Sequence, residues 1–214
     1  MARIVFDLDG TLIDSAPDIR EAANGLLEDE GLPPLSISET RRFIGEGSPT
    51  FVRLMMAARD IEPDRHAPLL AQFLDRLKGA VALTRVYPGA KAALDALAQA
   101  GHSLAICTNK PEAPARAVLD HLGLLPRFAE VLGGDSLPQR KPAPEPLLAV
   151  LDRLPAGPAI YIGDSEVDAA TAEAAGVPFL LFTEGYRKGA VHDMRWQATF
   201  ADHARLPELI AALV

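Results

Sequence analysis

The sequence predicts an α/β protein: a doubly wound parallel sheet, with an all-helical segment inserted after its first strand. Three observations predict this. The run Ile4-Val5-Phe6-Asp7-Leu8 is apolar on both faces, as a strand buried between two helical layers must be. From Tyr87-Pro88-Gly89 onward, helical and strand patterns alternate, which is the signature of a parallel sheet with crossover helices. Between these regions the periodicity stays helical and no strand pattern appears. The first strand cannot satisfy its edges alone, so it belongs to the later sheet. The expected division is an α/β core of residues 1–15 and 88–214 and a helical domain of residues 16–87.

Each element has its own signal. Ser15-Ala16-Pro17-Asp18 has the form of a capping box. Behind it Ile19, Ala22, Ala23, Leu26 and Leu27 recur at helical spacing, and Gly31 suits a carboxyl-terminal stop. Helices are expected over Ser38–Phe43, Ser48–Arg59 and Pro63–Val81, with breaks at Gly31-Leu32-Pro33-Pro34 and Gly45-Glu46-Gly47-Ser48-Pro49. The second part then reads helix Ala90–Gln99, strand Ser103–Thr108, helix Pro111–Leu122 and strand Phe128–Leu132. It continues with helix Pro144–Leu154, strand Ala159–Gly163, helix Val167–Ala175 and strand Phe179–Phe182.

The bulk properties exclude several classes. A chain of 214 residues, 49% hydrophobic, can bury a sizeable core. A net charge of −8 disfavours a nucleic-acid or anionic-membrane surface, which needs a basic stripe. The single cysteine, Cys107, cannot form an internal disulfide, and its apolar neighbours Leu104-Ala105-Ile106 make it a buried small hydrophobe. No signal peptide and no bilayer-length apolar run stand in the sequence, so a reducing, cytoplasmic setting is expected. Trp196 and Phe200 are expected in the core.

The chemistry gathers at the predicted strand ends. Ligands of open α/β sheets bind at the carboxyl ends of strands. Asp7 and Asp9 stand there, two residues apart on an extended chain and so pointing the same way. Close carboxylates raise each other's pKa unless a cation compensates, so the pair indicates metal binding or acid–base chemistry rather than a plain Asx-Gly turn. Thr108-Asn109 reads either as the cap of the next helix or as an anion cradle. Lys141, before the stiff Pro142-Ala143-Pro144, reads either as a solvated surface lysine or as a cation for the acids and a phosphate. Ser165-Glu166-Val167-Asp168 forms a second capping box, closed by Gly176, and Asp164 directly follows an apolar strand. Hard oxygen ligands of this kind suit Mg2+. Each signal alone has an ordinary structural reading. Four of them at strand ends, in this order, point to one site.

In these motifs the chain resembles the haloacid dehalogenase (HAD) superfamily, in its phosphatase branch with a helical cap after the first motif. Asp7-x-Asp9-Gly10-Thr11, Thr108-Asn109, Lys141-Pro142 and Gly163-Asp164-x-x-x-Asp168 match the family's four motifs in order, over essentially the whole chain. Phe6–Ser15, Phe43-Ile44-Gly45-Glu46-Gly47 and Thr108-Asn109-Lys110-Pro111 are most similar to the phosphoglycolate phosphatases. The resemblance implies a Rossmann-like core and a mobile cap hinged at Ser15–Pro17 and Tyr87–Gly89. It implies Mg2+-dependent hydrolysis of a small phosphorylated metabolite, first 2-phosphoglycolate, through an aspartyl-phosphate. Asp7 would be the nucleophile, and Asp9 the general acid and then the general base. Mg2+ would be held by Asp7, Asp164 and the backbone carbonyl of Asp9, with Asp168 acting through a water. Gly10, Thr108, Asn109 and Lys141 would hold the phosphoryl oxygens. Arg41, Arg42 and the loop Gly45-Glu46-Gly47 would meet a substrate carboxylate, unless the two arginines form only a solvated helix face.

Asp9 argues against dehalogenation and phosphonate hydrolysis. A pyrophosphatase or a sugar phosphatase or phosphomutase remains as a rival within the superfamily, although mutase relatives carry a histidine where this chain reads Ala16-Pro17-Asp18-Ile19-Arg20. A catalytically inactive phosphate-binding module is the alternative of another class, but no motif residue is substituted. The five histidines fall outside the motifs and receive no catalytic role. Monomer and homodimer are both compatible with the sequence.

Overall fold

The computed structural model describes residues 1–214. The chain runs β1 (Arg3–Phe6), β2 (Ile13–Asp14), α1 (Ala16–Asp29), α2 (Ile37–Phe43), α3 (Ser48–Ala57), α4 (His66–Leu77) and β3 (Arg85–Val86). It continues with α5 (Ala90–Gln99), β4 (Ser103–Cys107), α6 (Glu112–His121), β5 (Glu130–Leu132), α7 (Glu145–Asp152), β6 (Ala159–Gly163), α8 (Glu166–Ala175), β7 (Phe179–Phe182), β8 (Ala198–Phe200) and α9 (Leu206–Ala211).

Six strands form one parallel sheet in the order β5-β4-β1-β6-β7-β8. The chain builds outward from β1 on one side, then returns to build outward on the other. That reversal puts the carboxyl ends of β4, β1 and β6 side by side at a topological switch point. The period of two along β1 divides its side chains between two cores. Ile4 and Phe6 join a cluster with Ala93, Leu94, Val118 and Leu206. Val5 joins the opposite cluster with Leu147, Val150 and Ala172.

Helices α1 to α4 bury a third apolar cluster with Leu26, Leu27, Phe51, Met55 and Phe73, which Tyr186 from the loop after β7 joins. The Phe51 and Phe73 rings stack at 5.0 Å between centroids. The helical stretch is not free of strands, contrary to the expectation from its periodicity. Arg85–Val86 pairs antiparallel with Ile13–Asp14, so a two-stranded ribbon joins the segments that enter and leave the helices. A two-residue strand carries no period to read.

The capping box expected at Ser15 does not form. The Ser15 hydroxyl donates instead to Asp9 Oδ1 at 2.5 Å. Asp18, its presumed partner, is buried and accepts from the N–H groups of Leu83 and Thr84 and from the Thr84 hydroxyl. Tertiary acceptors and donors outcompete the local cap here, because a buried carboxylate must find partners wherever they lie. The box at Ser165 and Asp168 forms as expected, and Gly176 closes α8 in the left-handed region at φ 66°. Cys107 is fully buried, and burial pushes its thiol up to about 12. Phe200 is buried, but Trp196 is 44% exposed, a correction to its expected place in the core. No helix is long and apolar enough to cross a membrane.

Candidate active site

Lys141 is the hub of the site. It is delivered from the loop before α7, and its ammonium reaches Asp7 Oδ1 at 2.8 Å, Asp168 Oδ1 at 2.6 Å and the Tyr161 hydroxyl at 2.8 Å. Its side chain is 3% exposed, against 10% for Asp7 and 1% for Asp168. Burial opposes the ammonium charge, yet Asp168 and Asp7 hold its pKa above the ordinary lysine value. The three contacts use all three of its N–H donors.

The four acids have four different environments. Asp7 lies just past β1, with Oδ1 held by Lys141 and Oδ2 accepting no hydrogen bond from the protein where the residue lines the pocket. Burial raises its pKa, against the pull of Lys141. Asp164 follows β6. Its Oδ1 accepts from the Thr11 hydroxyl at 2.8 Å and its Oδ2 from Tyr186 N–H at 2.6 Å. Burial, and then the charges of Asp168 and Asp7, raise its pKa well above the ordinary value. Asp168 is also buried, but Lys141, with hydrogen bonds from Ser165 and Tyr161, more than offsets this and holds its pKa low. Its Oδ2 is already taken by Asp164 N–H, Ser165 N–H and the Ser165 hydroxyl. Asp9 stands apart and pairs with Lys110, whose Nζ lies 3.2 and 3.3 Å from its two oxygens.

Asp7, Asp164 and Asp168 each offer a carboxylate oxygen within 4.8 Å of the others. Three buried carboxylates face one buried ammonium. When all are ionised, two negative charges are left over, which one divalent cation would balance. The donor set therefore fits a hard metal ion.

The remaining predicted residues divide. Thr108 lines the pocket, accepts from Lys110 N–H at 3.2 Å and keeps its own proton for a ligand. The backbone N–H groups of Asp9 and Asn109 donate to no protein acceptor. The Asn109 side chain is fully engaged. Its amide nitrogen donates to Gly45 O and Lys141 O, both at 3.0 Å, and its Oδ1 accepts from Lys141 N–H at 3.1 Å. It thus joins the loop after α2 to the lysine loop. Gly10 spends its N–H on Ile13 O rather than on an anion. Its φ of +89° and the closeness of Asp164, 2.5 Å from where a Cβ would sit, explain the glycine.

The pocket, ≈ 50 Å3, is bounded below by Asp7, Asp9, Thr108, Asn109 and Lys110. Above, it is bounded by Ile19, Ile44, Phe51, Phe73 and Leu77, with Gly45, Gly47 and Ser48 between. Arg41, Arg42 and Glu46 do not line it. Arg41 is exposed, pairs with Asp14 at 2.8 Å and lies over the Tyr186 ring. Arg42 is exposed, and Glu46 pairs with Lys188 at 3.5 Å. Both arginines sit in the last turn of α2, where cations suit the helix dipole.

Two residues escaped the sequence reading. Tyr161 looks like one more apolar strand residue, yet its hydroxyl links Lys141, Asp168 and Cys107 O. Tyr186 lies beyond the last predicted strand. Its hydroxyl bonds Asp14 Oδ1 at 2.5 Å and Ala16 N–H at 3.1 Å. Lys110 was legible only as the neighbour of Thr108 and Asn109.

Known proteins resemble the chain as a whole. A phosphoglycolate phosphatase of Cereibacter sphaeroides is 49% identical over 217 residues, covering 100% of both chains. That of Rhodobacter capsulatus is 43% identical and covers 97% of this chain and 95% of its own. A crystal structure described as a predicted phosphoglycolate phosphatase from Haemophilus somnus superposes with a TM-score of 0.88 at 31% identity, covering 97% of each chain. A model of the haloacid dehalogenase-like hydrolases matches residues 1–176, a span that holds every acid and lysine of the cluster. Full-length identity and that match lead to one conclusion: the chain belongs to the haloacid dehalogenase-like hydrolase family.

Proposed function

We propose that this protein is a Mg2+-dependent phosphomonoester hydrolase, and that its substrate is 2-phosphoglycolate, cleaved to glycolate and phosphate. The observation that carries this reading is Asp7 itself, one oxygen pinned by a buried lysine and the other turned into a pocket that also holds Asp9. The names of the full-length relatives support the substrate. So does the small pocket with an apolar roof, which offers a sugar ring few hydrogen-bonding partners. Residues 16–87 would act as a cap over a core of residues 1–15 and 88–214.

Asp7 Oδ2 attacks phosphorus, and the P–O bond to the leaving alkoxide breaks. Asp9 gives that alkoxide its proton. A water then attacks the aspartyl-phosphate, Asp9 takes the water's proton, and Asp7 is released with inorganic phosphate. Thr108 and the free N–H groups of Asp9 and Asn109 stabilise the phosphoryl oxygens as charge builds. Lys141 and the Asn109 side chain, whose donors are engaged, act by holding Asp7 and the surrounding loops in place. Asp7 and Asp164, with the carbonyl of Asp9 and with Asp168 behind them, would hold Mg2+. When bound, it neutralises the carboxylates and offsets charge on the transferred group. The apolar wall from α1, α3 and α4 excludes bulk water.

The test is a kcat/KM screen with Mg2+ over 2-phosphoglycolate, pyrophosphate, sugar phosphates and nucleoside monophosphates. A clear preference for 2-phosphoglycolate, lost in EDTA and restored by Mg2+, is expected. A higher value for any other class refutes the substrate assignment. Turnover that survives EDTA refutes the metal.

A further inference from the structure

We infer that Lys110 is the residue that recognises the second anionic group of the substrate, a carboxylate set one methylene from the ester oxygen. The inference rests on the 2-phosphoglycolate reading and deepens it. A small ester with an anionic group at each end needs a cation for each, and the pocket supplies few candidates. Lys141 has spent all three N–H donors on Asp7, Asp168 and Tyr161. Arg41 is tied to Asp14, and neither it nor Arg42 borders the pocket. Lys188 borders the neighbouring recess beside Asp164, where it is 38% exposed and pairs with Glu46.

Lys110 is the one cation lining the pocket that Asp7, Asp9 and Thr108 share with the apolar roof. Its side chain is 7% exposed, so its charge acts with little screening. Its backbone is fixed, because its N–H donates to Thr108 Oγ1 at 3.2 Å and its carbonyl accepts from Gly134 N–H at 2.9 Å. The ammonium therefore arises from a rigid turn at the end of β4. Asp9 takes at most two of its three N–H donors, which leaves at least one for a ligand. Because Asp9 meets the leaving oxygen and Lys110 sits beside Asp9, a carboxylate one methylene from that oxygen falls within reach of the ammonium. The roof residues Ile19, Phe51 and Phe73 cannot ligate it.

The experiment compares kcat/KM for 2-phosphoglycolate with that for ethyl phosphate, which has a methyl group in place of the carboxylate. Lys110→Met is assayed beside the wild type. Loss of the Asp9 pair lowers both substrates alike and cancels in their ratio, so the ratio isolates the contact between Lys110 and the carboxylate. We expect the ratio to fall by about 30-fold, the order of one charge-assisted hydrogen bond. Lys110→Arg should retain most of it, and Lys110→Gln serves if the Met variant does not fold. Lys188→Met should leave the ratio unchanged. Equal losses on both substrates in Lys110→Met, or a collapse of the ratio in Lys188→Met, overturn the inference while the substrate reading stands. A wild type with no preference for the carboxylate-bearing ester overturns the substrate reading, and the inference with it.

Discussion

Replacing Asp7 by Asn should abolish turnover and yet raise the stability of the metal-free protein above about pH 6. Asparagine keeps the shape, and its amide oxygen can still accept from Lys141, as Oδ1 does now at 2.8 Å. What disappears is a charge. Burial, aided by Asp168 and Asp9, lifts the folded-state pKa of Asp7 from 3.8 to about 6, against the pull of Lys141. A carboxyl group that holds its proton more tightly when folded makes stability fall as pH rises. For Asp7 the fall begins near the unfolded value of 3.8 and is complete once the pH passes about 6. A shift of about two units corresponds to about 3 kcal/mol. In a chain of this size that is up to about 6–12 °C in Tm. Thermal melts of wild type and Asp7→Asn in EDTA, from about pH 4 to about pH 8, measure it. The variant's advantage should be near zero at the acid end and full above neutrality. Mg2+ should narrow the gap, because it stabilises the protein that keeps all its ligands. A variant no more stable than wild type, or an advantage independent of pH, would refute the electrostatic account of the site.

Three further outcomes follow from the same geometry. Lys141→Met leaves Asp7 and Asp168 buried without their cation and should cost about 3–5 kcal/mol in urea unfolding without metal; an unchanged midpoint would contradict this. Tyr161→Phe deletes the hydroxyl shared by Lys141, Asp168 and Cys107 O, and should cost about 1–2 kcal/mol with a lower kcat; wild-type values for both would show the network is not coupled. Asn109→Ala frees Gly45 O and the Lys141 backbone, so hydrogen exchange across residues 44–47 should quicken and KM should rise; unaltered exchange there would mean that Asn109 does not hold the loop.

The sequence by itself determined five of the six strands of the sheet, the run of helices after the first strand and the acids at the strand ends, but not the short edge strand Ala198–Phe200. Buried strands must be apolar on both faces, and helices must repeat their apolar positions, so Ile4–Phe6, Ala159–Gly163 and Ala90–Gln99 carry their structure in their own pattern. The motif residues Asp7, Thr108 and Asp164 were legible because polar groups that end apolar strands face the crevice, and Lys141 because it precedes the stiff Pro142-Ala143-Pro144. Short-range patterns could not assign partners. Ser15 and Asp18 fit a local cap, but the fold sends one to Asp9 and the other to Thr84. Arg41 and Arg42 lie beside the loop at Gly45–Gly47 in sequence, but the helix ends with both outside the pocket, while Lys110 enters it. Tyr161 and Tyr186 carry polar tips whose partners lie as far as 54 and 172 residues away. Only the tertiary structure decided these pairings, because a buried charge or hydroxyl takes the partner that packing brings to it, and packing is set by the whole chain.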